Sequence, residues 1–239
     1  MSLGLEDPGR SRVTRRLRPP PVRLADELFL AAHDHDTGHL RIRLHRSGLE
    51  LGLAGALLAE LVLDRRIDLR QGRIVPVSRT PMDDILSQTV LADVVSELHV
   101  AGSPHTVRVW LAYLSHSSVG QVRNRLCFNG VLREDSGRRW WGGPATLYTA
   151  VDLTAALGPE SAVHSLLTHD HAPDHTPSAL AFAAFADACG LLPKITWWHE
   201  QRVGLRRRLA VLREQLPRPV RELVDQTQAA VGDAVVGRR

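Results

Sequence analysis

The sequence predicts a mainly α-helical protein: a single-domain helical core with peripheral helices and short β-hairpins. Three observations carry that prediction. The stretch "LGLAGALLAELVLDRRIDL", residues 51–69, opens with thirteen residues in which Glu60 is the only charge. That suits a helix buried on most of its faces. Apolar residues recur at helical spacing elsewhere, as in Leu205, Leu209, Leu212 and Leu216. Two stretches read as hairpins: "RIDLRQGRIVPV", alternating around Gln71-Gly72, and "VLREDSGRRWWGG", with Ser136-Gly137 at its turn.

The elements follow in order. Residues 1–23 combine Gly, Pro, Ser and Arg, with "RPPP" at 18–21 as a stiff exit, and are expected to form a disordered basic arm. A single helical domain is expected over 24–236. "VRLADELFLAAHD" starts it as a helix with Asp26 and Glu27 in the first turn. In "TGHLRIRLH", Leu40, Ile42 and Leu44 alternate with Arg41, Arg43 and His45. This predicts a short strand with one apolar and one basic face. "TPMDDILSQTVLADVVSEL" places Thr80 as N-cap and Pro81 in the first turn of a helix. "SPHTVRVWLAYLS" and "SVGQVRNRLCFNGVLRE" read as two successive helices, the second closing near Asn129-Gly130. "GPESAVHSLLTH" is a helix and "DHAPDHTP" a loop. "SALAFAAFADACGLLPKI" is a central buried helix, and 219–236 a weaker one.

Composition narrows the classes. A membrane span needs about 20 predominantly apolar residues, more than the opening run supplies. The N-terminus shows no secretory signal, and Cys127 and Cys189 fit no metal or redox spacing. A reducing cytoplasm is the expected location, with peripheral membrane association. Residues 1–24 carry a net charge of +4, residues 202–239 a net of +5, and the body between them a net of −5. Basic ends on an acidic body favour a polyanionic partner, nucleic acid or an anionic membrane surface.

Several strings, in this order, resemble the Golgi phosphoprotein 3 (GPP34) family: "LADELFLAAHD", "SGLELGLAGALLAELVLDRRIDL" (47–69), "TPMDDILSQTVLADV" and "VRNRLCFNGVL". The resemblance runs from about 24 to 217. It implies an α-helical, non-enzymatic fold, no cofactor, and peripheral membrane association. Eukaryotic members bind phosphatidylinositol 4-phosphate and act as adaptors for protein clients. The hairpin near 131–149 would serve self-association. Residue by residue, Arg123 matches one of the family's lipid-binding arginines, whereas Ala54 and Gly120 stand where two others lie. The region around Leu44-His45 lacks the family's Trp.

The lipid-phosphate candidates are therefore Arg41, Arg43 and Arg46 beside the start of the long apolar helix, with Arg123 and Arg125 joining them in space. Guanidinium groups hold phosphate by charge-assisted, bidentate bonds. Arg138, Arg139, Trp140 and Trp141 suit a membrane interface or a contact between copies. The expected partners are anionic phospholipid head groups, with phosphatidylinositol 4-phosphate as the family's example, protein clients and a second copy of the chain. The rival from another class is a winged-helix nucleic-acid binder using 103–141. "HDHD" at 33–36 and His169, His171 and His175 read as surface histidines without a full metal-ligand set, and no catalytic motif is recognised.

Overall fold

The computed structural model describes residues 22–35, 40–138, 144–168, 176–195 and 202–237. The first helix, α1 (Leu24–Ala31), runs into a two-residue strand, β1 (His33–Asp34), which pairs antiparallel with β2 (Arg41–Ile42). Next comes α2 (Arg46–Leu63), the helix predicted from the opening apolar run. It is the centre of the molecule. Fourteen of its eighteen residues are buried, and α1, α3, α4, α6 and α9 pack around it.

A tight hairpin follows, β3 (Ile67–Arg70) with β4 (Arg73–Pro76). Gln71 and Gly72 both hold positive φ, 53° and 73°, as a type I′ turn requires. The next helix, α3 (Ile85–Ala101), begins four residues later than Thr80 predicts one. Asp84 is its N-cap, accepting from Ser87 N–H at 2.8 Å. Asp84 outcompetes Thr80 because its carboxylate also takes the Ser87 hydroxyl (2.7 Å) and Arg125 (3.1 Å).

The two helices expected over 103–130 are one unbroken helix, α4 (Val107–Phe128), capped by Thr106. The serine-rich middle forms no turn. Ser115 Oγ and His116 Nδ1 bond back to Ala112 O, and buried Ser118 donates to Glu50 O on α2 at 2.9 Å. These serines lose their turn character once the backbone absorbs their hydroxyls. A helix-turn-helix within 103–130 is thereby excluded.

The hairpin β5 (Leu132–Arg138) and β6 (Pro144–Ala150) is longer than expected. Ser136 and Gly137 are not its turn; they pair within the ladder with Thr146 and Ala145. Helix α5 (Leu153–Thr168) starts earlier than the sequence suggests, because Asp152 Oδ1 accepts from Thr154 and Ala155 N–H. The apolar stretch 178–195 divides into α6 (Pro177–Ala188) and a short α7 (Leu192–Ile195), with Gly190 at φ 79° between them. Helices α8 (Arg202–Arg213) and α9 (Arg218–Val236) complete the chain. The C-terminal helix is stronger than its sequence pattern indicates. Val220, Leu223, Val224 and Thr227 form a buried stripe against α2 and α6.

Close approach to α2 depends on its glycines. A Cβ at Gly55 would lie 2.7 Å from Phe185 Cε1 on α6 and closer still to Thr227 Oγ1 on α9. At Gly52 it would lie 3.0 Å from Cys189 Cβ.

One polar cluster is sealed inside this packing. Glu60, the single charge of the apolar run, is 3% exposed. It accepts from Ala25 N–H (2.8 Å), Arg23 Nε (3.0 Å), Ser87 Oγ (3.3 Å) and Arg125 Nη1 and Nη2 (3.0 and 3.1 Å). Arg125, with 4% of its side chain exposed, also bonds Asp26 (2.8 Å) and Asp84 (3.1 Å). Arg23 reaches Asp64 at 2.5 Å. Burial raises the Asp26 pKa to about 6 although Arg125 opposes the shift. Glu27 is raised to about 7 by burial, then by the charges of Asp26 and Glu60. It makes no ion pair among the described residues.

Three outcomes follow from this packing. Gly55→Leu forces α6 and α9 away from α2 and lowers stability by at least about 1–3 kcal/mol, read as the urea midpoint. Arg125→Ala leaves buried carboxylates uncompensated and costs about 3–5 kcal/mol in the same assay. Glu27 binds its proton more tightly in the folded than in the unfolded chain. Its contribution to stability is therefore lost as pH rises through the folded value of about 7. Glu27→Gln should exceed the parent in stability at about pH 8, with the difference shrinking towards about pH 5.

Candidate functional site

The arginines that the sequence marks for phosphate lie on β2 and just after it, at the start of α2, and on α4. Tyr148 on β6 links the approach to β2 with α4. Its carbonyl accepts from Leu40 N–H at 3.0 Å, immediately before β2. Its ring lies under the Arg123 guanidinium, whose carbon is 4.7 Å from the ring centroid. Arg123 Nε is buried and has no hydrogen-bond partner, and no carboxylate pairs with Arg123 among the described residues. A cation stacked on an aromatic face keeps its in-plane N–H groups available to an incoming acceptor.

The other predicted arginines separate by environment. Arg41 is exposed on β2 and makes no ion pair among the described residues. Arg43 is bonded to Glu160 on α5 at 2.6 Å and approaches Asp34 at 3.8 Å. The alternation expected over 40–45 therefore gives no clean apolar and basic faces. Ile42 is 48% exposed, since a two-residue ladder has nothing packed over it to define an inner side. Arg46 is 82% exposed and pairs with Glu50 one turn along α2, at 2.7 Å.

Arg125 does not join this surface. It follows Arg123 by two residues on a helix, so the two side chains point about 200° apart. One reaches Tyr148; the other lies in the buried carboxylate cluster. Sequence reading grouped them by proximity and missed their anchors, Tyr148 and Glu60. Glu60 carries a legible signal, because a lone charge in an apolar helix requires a partner.

Arg138 ends β5 opposite Pro144. Arg139, Trp140 and Trp141 lie outside the described residues, as do residues 1–21, Asp36, His169, His171 and His175. His33 and His35 are buried, not on the surface. His33 Nδ1 is 2.6 Å from Phe29 O, and His35 Nε2 is 3.0 Å from Leu30 O. Burial lowers the His33 pKa to about 4, so the ring is neutral at neutral pH. Among the described residues no group of His, Cys, Asp and Glu is arranged to hold a metal ion, and no described helix is long and apolar enough to cross a membrane.

A second concavity lies on the opposite side of α4. This cleft, of about 780 Å³, runs between α3 and α4. Asp83, Asp84, Ile85 and Thr89 line one wall, Gln121, Asn124 and Phe128 the other, and Arg23 and Arg125 contribute at its base.

Comparison with known proteins identifies a family. The model of the family described as Golgi phosphoprotein 3 (GPP34) matches residues 24–227. No individual curated protein matches the chain. The matched region extends from the first residue of α1 into α9 and includes the central helix, the buried ion cluster apart from Arg23, and Arg123 with Tyr148. Over that length the chain belongs to the Golgi phosphoprotein 3 (GPP34) family.

Proposed function

We propose that this chain is a non-enzymatic, peripheral membrane-associating protein that holds the phosphate of an anionic lipid head group at Arg123, with exposed Arg41 as a further contact. The observation that carries this reading is the state of Arg123. By the sequence resemblance it stands at a lipid-binding position of the family, it rests on Tyr148, and no carboxylate neutralises it among the described residues. Arg43 and Arg46 are partly neutralised by Glu160 and Glu50, so they supply background charge and not the primary contact. Arg125 is committed to the interior and is left out of the site.

Binding in this reading is driven by charge more than by head-group shape. Ala54 and Gly120 remove two of the family's guanidinium contacts, and a phosphoinositide site short of them keeps little power to distinguish phosphatidylinositol 4-phosphate from other anionic lipids. The basic ends add long-range attraction that salt screens. The stretch with Arg138, Arg139, Trp140 and Trp141 supplies the second contact in this proposal, with head groups or with a second copy. The adaptor role towards protein clients belongs to the same proposal.

Co-sedimentation tests it, using vesicles of phosphatidylcholine alone, with phosphatidylserine, and with phosphatidylinositol 4-phosphate. The chain should pellet with both anionic mixtures at low salt and with neither at high salt. Arg123→Ala should weaken binding about fivefold, the loss of one arginine near the surface. Absence of binding to either anionic mixture at low salt overturns the proposal. Trp140→Ala/Trp141→Ala should lower vesicle binding or oligomer mass.

A further inference from the structure

We infer that the cleft between α3 and α4 binds a small organic cation, an ammonium or guanidinium group carried on an aromatic or alkyl body. The volume, about 780 Å³, falls within the range of small-molecule sites. The apolar part of the ligand has a place to sit. Ile85 and Phe128 line the cleft from opposite helices and are 69% and 82% exposed, a large apolar area left to water at one spot.

Polarity sets the sign of the head group. The two guanidinium groups at the base are already committed: Arg23 to Glu60 and Asp64, Arg125 to Asp26, Glu60 and Asp84. The Thr89 hydroxyl is spent on Ile85 O at 2.9 Å. Two acceptors of the lining stand without a partner, beside the side-chain amides of Asn124 and Asn129. Asp83 lines the cleft without an ion pair among the described residues. Gln121 also lines it, and its Oε1 is buried with no partner.

Charge acts in the same direction. Two arginines are shared among Asp26, Glu60, Asp64 and Asp84, and Asp83 adds a further carboxylate at the rim. The base is thus surplus in negative charge. An anionic ligand would meet that surplus, and the charge of both arginines is already offset by carboxylates. A cation lowers the repulsion, takes up Asp83 and Gln121 Oε1, and can lie against the Phe128 ring. This site is separate from Arg123, which leaves α4 on the other side.

Titration of the ¹⁵N-labelled full-length chain with three isosteric probes tests the inference: phenethylammonium, 2-phenylethanol and 3-phenylpropionate. Amide shifts should cluster at 83–89 and 121–129, with the ammonium saturating at about tenfold lower concentration than the alcohol and the carboxylate weakest. Asp83→Asn, at an exposed position, should reduce that gap by about threefold without moving the melting midpoint. Phe128→Ala should weaken ammonium and alcohol together. The inference is overturned if the alcohol or carboxylate binds as well as the ammonium, if the gap survives Asp83→Asn, or if the shifts fall elsewhere.

Discussion

The Glu60–Arg125 ion pair is the constraint around which the rest is arranged. Burial of leucine, alanine and phenylalanine supplies the driving force, but that force has no direction. The carboxylate of Glu60 supplies direction. It fixes the start of α1 through Ala25 N–H, α3 through Ser87 and α4 through Arg125. Three helices are thereby referred to one point on α2. A buried pair of this kind adds little net stability over an apolar replacement, yet its disruption is costly. Its value here is register: α1, α3 and α4 cannot slide on α2 without stranding a charge.

The same pair decides what the surface can offer. By withdrawing Arg125 into the interior it leaves Arg123 as the guanidinium that α4 presents beside β6. It also places acidic groups at the base of the cleft on the helix's far side. One helix thus separates two surroundings, a guanidinium stacked on Tyr148 and a carboxylate-rich cleft next to Phe128. The local pairs Arg43–Glu160 and Arg46–Glu50 further reduce a basic cluster that looks larger in the sequence than in space.

Much of the architecture was legible because its signals are local. The apolar run at 51–63, the Gln71-Gly72 turn and the spacing of Leu205, Leu209 and Leu212 in α8 each specify an element through nearest neighbours. Where reading failed, a distant partner decided. Asp84 displaced Thr80 as a cap because Arg125 and Ser87 also use its carboxylate. The serines of α4 continued a helix because Ala112 O and Glu50 O took their hydroxyls. The strength of α9 was hidden because Thr227 and its glycine contacts on α2 look ordinary until the helices meet. At the candidate site, the resemblance pointed to Arg123. It could not reveal Tyr148 beneath it, since residues 123 and 148 are joined only by tertiary packing.

The glycine-lined seam of α2 also bears on how the chain is made. Helix α2 emerges early in synthesis, while its partner α9 lies more than 150 residues later. Until α9 is released, the apolar face around Gly55 is covered only in part, by Phe185 of α6, and no nearer helix supplies the Val220–Thr227 stripe that fits it. Contacts of such separation close slowly. The nascent chain therefore carries an incompletely covered apolar surface through most of translation, the kind of surface that favours aggregation before folding is complete.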